Sequence, residues 1–155
     1  MQGKGAVNAL LEIYGNAVDG LKATVRSISA EQLIEIADSK TANPDCRSIQ
    51  TILTHVVYAG FGYATTIMNR NGHINDRPPR ILLHDSQSYC DALDDMMRFT
   101  QSVFADITDD ELETYDESSK MLTGWKQRYD IEQLAEHAIV HILRHHRQIH
   151  NLRKR

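Results

Sequence analysis

"IEQLAEHAIVHILRHHRQIHNL", residues 131 to 152, carries five of the chain's eight histidines, and its periodicity decides the fold. An α-helix turns about 100° per residue. With Leu134 at zero, Leu152 returns to about 0°, Ala138 falls near 40°, and Ile131 and Ile149 fall near 60°, so one side is apolar. Asp130-x-x-Gln133 has the form of a capping box and opens the helix at Ile131. On the same wheel His141 and His145 lie at about −20° and +20°, in the middle of the apolar stripe. His137 sits at its margin, whereas His146 and His150 point toward water. The five histidines are therefore not one cluster.

Residues at i and i+4 stack on one helix face, close enough for two imidazoles to ligate one ion. A lone buried histidine is usually satisfied by a core carbonyl. A stacked pair is harder to satisfy, because each unpaired nitrogen costs on the order of 1–3 kcal/mol and a bound cation accepts both lone pairs at once. Two ligands hold a metal poorly, so a third has to come from another helix. His55 is the one histidine inside the second long helix. It lies off the centre of that helix's stripe, but Ala59, Gly62 and Thr66 share its flank, and a line of small residues lets a neighbour or a ligand approach. The expected metal ligands are His55, His141 and His145. His73 and His84 are expected to be solvated.

Working outward, three further long helices are expected. The first runs from Ala6 to about Ser27 on Leu10, Leu11, Tyr14, Val18, Leu21 and Val25. "SAEQ", 29 to 32, is a capping box for a short piece through Ile36. Asn43-Pro44 supplies an N-cap and a first-turn proline for the second helix, which runs to about Asn71 on Ile49, Ile52, Leu53, Val56, Gly60, Tyr63 and Ile67. A long surface connection containing Pro78-Pro79 follows. Asp85 or Ser86 caps the third helix, whose stripe is Tyr89, Leu93, Met96, Met97, Thr100, Val103, Phe104 and Ile107. The segment 114–130 has little period and delivers Trp125, expected at the mouth of the metal pocket because it leads directly into the last helix, with a plain core tryptophan as the alternative. No repeats and no strand runs are visible. The expectation is an all-α fold, a single domain over residues 1–155, with four long helices and long connections around one core.

A formal net charge of −4 argues against a nucleic-acid partner, and the basic Arg153-Lys154-Arg155 end reads as a solvated tail. No run is long and apolar enough for a membrane span, and "MQGKGAVNALLEIYG" lacks the features of a leader, so a cytoplasmic protein is expected. Cys46 and Cys90 belong to no CxxC pair and are expected to be buried thiols. An apolar helix flank left uncovered by the long connections leads us to expect a homodimer.

The stretches "RSIQTILTHVVYAG", 47 to 60, and "HAIVHILRHHRQI", 137 to 149, resemble the DinB/YfiT-like metalloenzyme family. The second is similar to that family's HxxxHxxxHRGQI ending, with His137, His141 and His145 on its three histidine positions. The sequence departs after His145, where His146 stands in the place of an arginine. The resemblance implies a four-helix bundle and a divalent metal on His55, His141 and His145, while the part of His137 beside that set stays open. Three neutral imidazoles and no nearby thiolate suit zinc or nickel. The implied activities are thiol transfer, with a low-molecular-weight thiol as cosubstrate, or hydrolysis, each on a small electrophilic substrate. A non-catalytic metal- or ligand-binding stress protein is the alternative. Ile142 follows His141, so the glutamate base of HExxH is missing and no catalytic group is named. Arg47, Lys126, Arg144 and Arg147 are candidate cations for an anionic cosubstrate.

Overall fold

The computed structural model describes residues 3–154. Met1 and Gln2, at the head of the stretch read as lacking a leader, and Arg155 of the basic end lie outside them. The chain is mostly helical: α1 (Gly5–Val25), α2 (Ala30–Ile34), α3 (Ile49–Met68), α4 (Ser86–Phe104) and α5 (Ile131–Arg153). The two-residue strands β1 (Met121–Leu122) and β2 (Arg128–Tyr129) pair as an antiparallel hairpin inside the segment that shows no period.

Local chemistry sets the helix starts. Ser29 with Gln32 and Asp130 with Gln133 form the two capping boxes expected of them. Asp85 accepts from the Ser88 N–H at 2.7 Å to open α4. The start of α3 differs from expectation: Asn43 caps only a single 3-10 turn, Pro44–Cys46. Ser48 is extended, at φ −138° and ψ 163°, and caps α3 anew through a box with Thr51. At the far end of α3, Gly72 takes φ +88°, a conformation open to glycine at little cost.

The long helices pack around shared clusters of apolar side chains, with α1 beside α4 and α5, and α3 beside α4 and α5. Their directions follow from residue pairs. Val7 shares a cluster with Ile131 and Leu134, and Thr24 meets His146, so α1 and α5 run in parallel. Thr54 bonds Tyr89, and Gly60 lies against Met96, so α3 and α4 are parallel too. Consecutive parallel helices need a connection that returns the full length of α3, about 30 Å. The irregular segment from Asn69 to Asp85 makes that return. The α3 and α4 stripes are buried, apart from half-buried Tyr63 and Val103. Leu10 and Tyr63 touch both apolar clusters and join them.

No helix among the described residues is long and apolar enough to cross a membrane. Cys90 is buried as expected, but Cys46 is only half-buried, because it belongs to the short turn rather than to the start of a packed helix.

Candidate metal centre

Antiparallel α3 and α5 bring His55 against His141 and His145. The Nε2 atoms of His55 and His141 are 3.0 Å apart. Each of the three histidines offers a ring nitrogen, and those atoms all lie within 4.8 Å of one another. Ring centroids are 4.9 Å apart for His55 and His141, 5.2 Å for His55 and His145, and 4.5 Å for His141 and His145. Two nitrogens each about 2.05 Å from a tetrahedral ion stand about 3.3 Å apart. The His55–His141 spacing is close to that value.

One outer nitrogen is held by a hydrogen bond. Gln148 Oε1 lies 2.8 Å from His145 Nδ1, which fixes the proton on Nδ1 and turns the Nε2 lone pair inward. Asp45 Oδ2 lies 3.5 Å from His55 Nδ1, beside the ring without a hydrogen bond. Its other oxygen accepts from Arg80 Nη1 at 2.7 Å. Burial, reinforced by the neighbouring His145 and His55, pushes His141 down to about 3. Burial also lowers His55, with Asp45 opposing, and His145, with the Gln148 bond opposing. At neutral pH all three imidazoles are therefore uncharged, the state that a metal ligand requires.

The trio opens on a cavity of about 520 Å³ whose wall includes Cys46, Arg144, Arg147, Gln148 and Asn151. Of the four candidate cations, Arg144 and Arg147 line it. Arg47 is exposed elsewhere, and Lys126 sits at the hairpin tip with φ 70°.

His137 stands apart from the trio. It stacks on Trp125, with centroids 4.4 Å apart and planes 16° apart. Trp125 thus lines a neighbouring cleft, behind Tyr63, rather than the histidine cavity. His73, His84 and His150 are exposed. His146 is half-buried and does not face water freely: its Nε2 lies 2.7 Å from Thr24 Oγ1. Gly20 on α1 lies alongside it, a Cβ there falling 3.6 Å from the imidazole, at ordinary contact distance.

The wheel brought out His141 and His145, but not their supports. Gln148 carries a sequence signal, because i+3 from His145 is on the same face. Asp45 and Arg80 carry none, being brought to His55 by the turn and the long connection.

Comparison with protein-family models, with curated proteins and with solved structures gives no match to the chain.

Proposed function

We propose that His55, His141 and His145 hold one divalent ion, zinc or nickel, in a four-helix bundle of the DinB/YfiT-like type. We propose further that the protein is a metal-dependent enzyme transferring a thiol or water nucleophile to a small electrophile. The observation that carries this reading is the gathering of three neutral, mutually facing imidazoles beside an open polar cavity. Three protein ligands leave a further position for an exogenous one, the pattern of a catalytic rather than a closed structural site. An ion held only by neutral ligands keeps its full charge and favours the deprotonated form of a bound water or thiol.

The chain's own residues have separable parts in this scheme. Gln148 orients one ligand, and Asp45 lies beside another. Arg144 and Arg147 bring positive charge to the cavity wall, where an anionic cosubstrate would be attracted. The non-catalytic alternative draws on one observation: Asp45, the carboxylate beside His55, is engaged by Arg80, which leaves Asp38 as the carboxylate on the cavity wall.

The test is metal analysis of protein purified without a histidine tag, followed by a screen of small electrophiles with water and with several low-molecular-weight thiols. One ion per chain and turnover lost on chelation support the enzyme. A stoichiometric ion with no turnover across the whole screen supports the binding protein. Absence of a bound ion after reconstitution overturns the enzyme and the metal-binding protein alike, leaving a ligand-binding protein.

A further inference from the structure

Beside the histidine cavity lies a second cleft of about 370 Å³. Its floor is the Ala59–Gly62 flank of α3, and its walls include Tyr63, Thr66, Thr123, Trp125 and Leu134, with Arg77 reaching in from the long connection. Most donors in these walls are committed. Thr66 Oγ1 donates to the Gly62 carbonyl at 3.0 Å, Thr65 Oγ1 to Phe61 at 2.7 Å, and Thr123 Oγ1 to Gln127 at 2.8 Å. The Trp125 indole N–H donates to Gln127 Oε1 at 3.1 Å.

Two donors are left. The Arg77 guanidinium stacks 3.5 Å above the centre of the Tyr58 ring, and among the described residues it has no carboxylate within ion-pair distance. The Tyr63 hydroxyl likewise has no intramolecular acceptor among the described residues. Burial pushes it up to about 12, with the Arg77 charge opposing, so it remains a protonated donor near a fixed cation. The remaining surface is flat and apolar. Trp125 is 39% exposed, yet it is held by the His137 stack and its Gln127 bond, so its face is presented at little entropic cost. Gly62 leaves space for Arg77 in this position: a Cβ there would fall 2.5 Å from Nη1, and the guanidinium would have to shift.

A cleft with one fixed cation, one phenolic donor and an aromatic wall matches an anionic head on a flat apolar body. We propose that this cleft binds a small planar organic acid, its carboxylate on Arg77 and the Tyr63 hydroxyl and its conjugated body along Trp125 and the Ala59–Gly62 floor. The site is independent of the metal reading, although the Tyr63 ring, 5.6 Å from that of His141, is a wall close to both. A bound acid would therefore lie next to the histidine trio without needing it.

Trp125 is the only tryptophan, so its indole N–H gives a single reporter cross-peak in an amide-correlation NMR spectrum. The experiment titrates ¹⁵N-labelled protein with cinnamate and, separately, with neutral cinnamamide, both as purified and after chelation. Cinnamate is expected to move the indole peak saturably and to bind at least about tenfold more tightly than the amide. Arg77→Gln should erase that preference, and Arg77→Lys should keep part of it because the charge remains. Chelation should leave the affinity unchanged. Equal binding of acid and amide, or a preference that survives Arg77→Gln, would leave Arg77 as a strut clamped on Tyr58 and overturn the proposal. So would the absence of a saturable shift, or an affinity lost on chelation, which would place the acid on the metal instead. Metal content is read separately, so failure here leaves the histidine site standing, and the reverse also holds.

Discussion

Acidifying the metal-free protein should destabilise it through His141 in a measurable way. Burial lowers His141 from its ordinary 6.5 to about 3, so the unfolded chain takes up a proton that the folded one refuses. Its stabilising contribution is complete above pH 6.5 and is lost as the pH falls toward 3. Two pH units below 6.5, at pH 4.5, linkage allows at most about 2.7 kcal/mol from this one group. His141 is half-buried on a cavity wall, so discounting for solvent screening leaves about 1–1.5 kcal/mol. His55 and His145 shift in the same direction and steepen the total. The assay is urea unfolding followed by far-ultraviolet circular dichroism at pH 7.5 and 4.5, on chelated wild type and on His141→Gln. Carboxylates far from the site contribute alike to both proteins and cancel in the difference. Wild type should lose about 1–1.5 kcal/mol more than the variant. Equal losses would show that His141 titrates as a solvated imidazole and that the buried trio is wrong.

Metal analysis of variants should separate the two histidine faces of α5: His141→Ala and His145→Ala lose the ion, whereas His146→Ala keeps it. The last of these should cost about 1 kcal/mol in urea unfolding for the lost Thr24 bond. Gln148→Leu and Asp45→Asn should each weaken metal affinity by about 10- to 100-fold in a chelator competition, with the helical spectrum unchanged. Gly60→Ala should destabilise by about 1–3 kcal/mol, because its Cβ would sit 1.9 Å from Met96 Sδ and Met96 is fully buried; thermal unfolding reads this directly. Ile13, Val140 and Leu143 are exposed on the neighbouring helices α1 and α5, so light scattering at tens of micromolar should give a dimer mass, and Val140→Glu a monomer mass.

The long helices were legible because burial imposes the period. Every residue of the α4 stripe, from Tyr89 to Phe104, is buried or half-buried, since a side chain turned about 100° per residue cannot leave its face. The facing of His141 and His145 came from the same rule. What failed was decided by contacts that a single helix does not contain. Asn43-Pro44 is a sound helix start locally, yet extended Ser48 competes with it and wins the cap. His146 lies on the polar side of its own wheel, but parallel α1 presents Gly20 and Thr24 there and takes it out of water. Trp125, expected at the mouth of the metal pocket, lines the neighbouring cleft instead. The hairpin that aims it has two-residue strands, too short for an alternating pattern to register.

The supports of the two clefts follow from topology rather than from any motif. Because α3 and α4 are parallel, the chain must travel back along α3 after Gly72, and about 3.3 Å per residue of extended chain makes that possible without helical structure. Its route crosses the face of α3 that carries His55, Tyr58 and Gly62. Arg80 consequently reaches Asp45, 35 residues away in sequence, and completes a chain from guanidinium to carboxylate to the outer nitrogen of His55. Three residues earlier, Arg77 lies on Tyr58 and over Gly62. One segment thus engages the carboxylate beside His55 and supplies the cation of the neighbouring cleft. Anything that lifts it from α3 should loosen both.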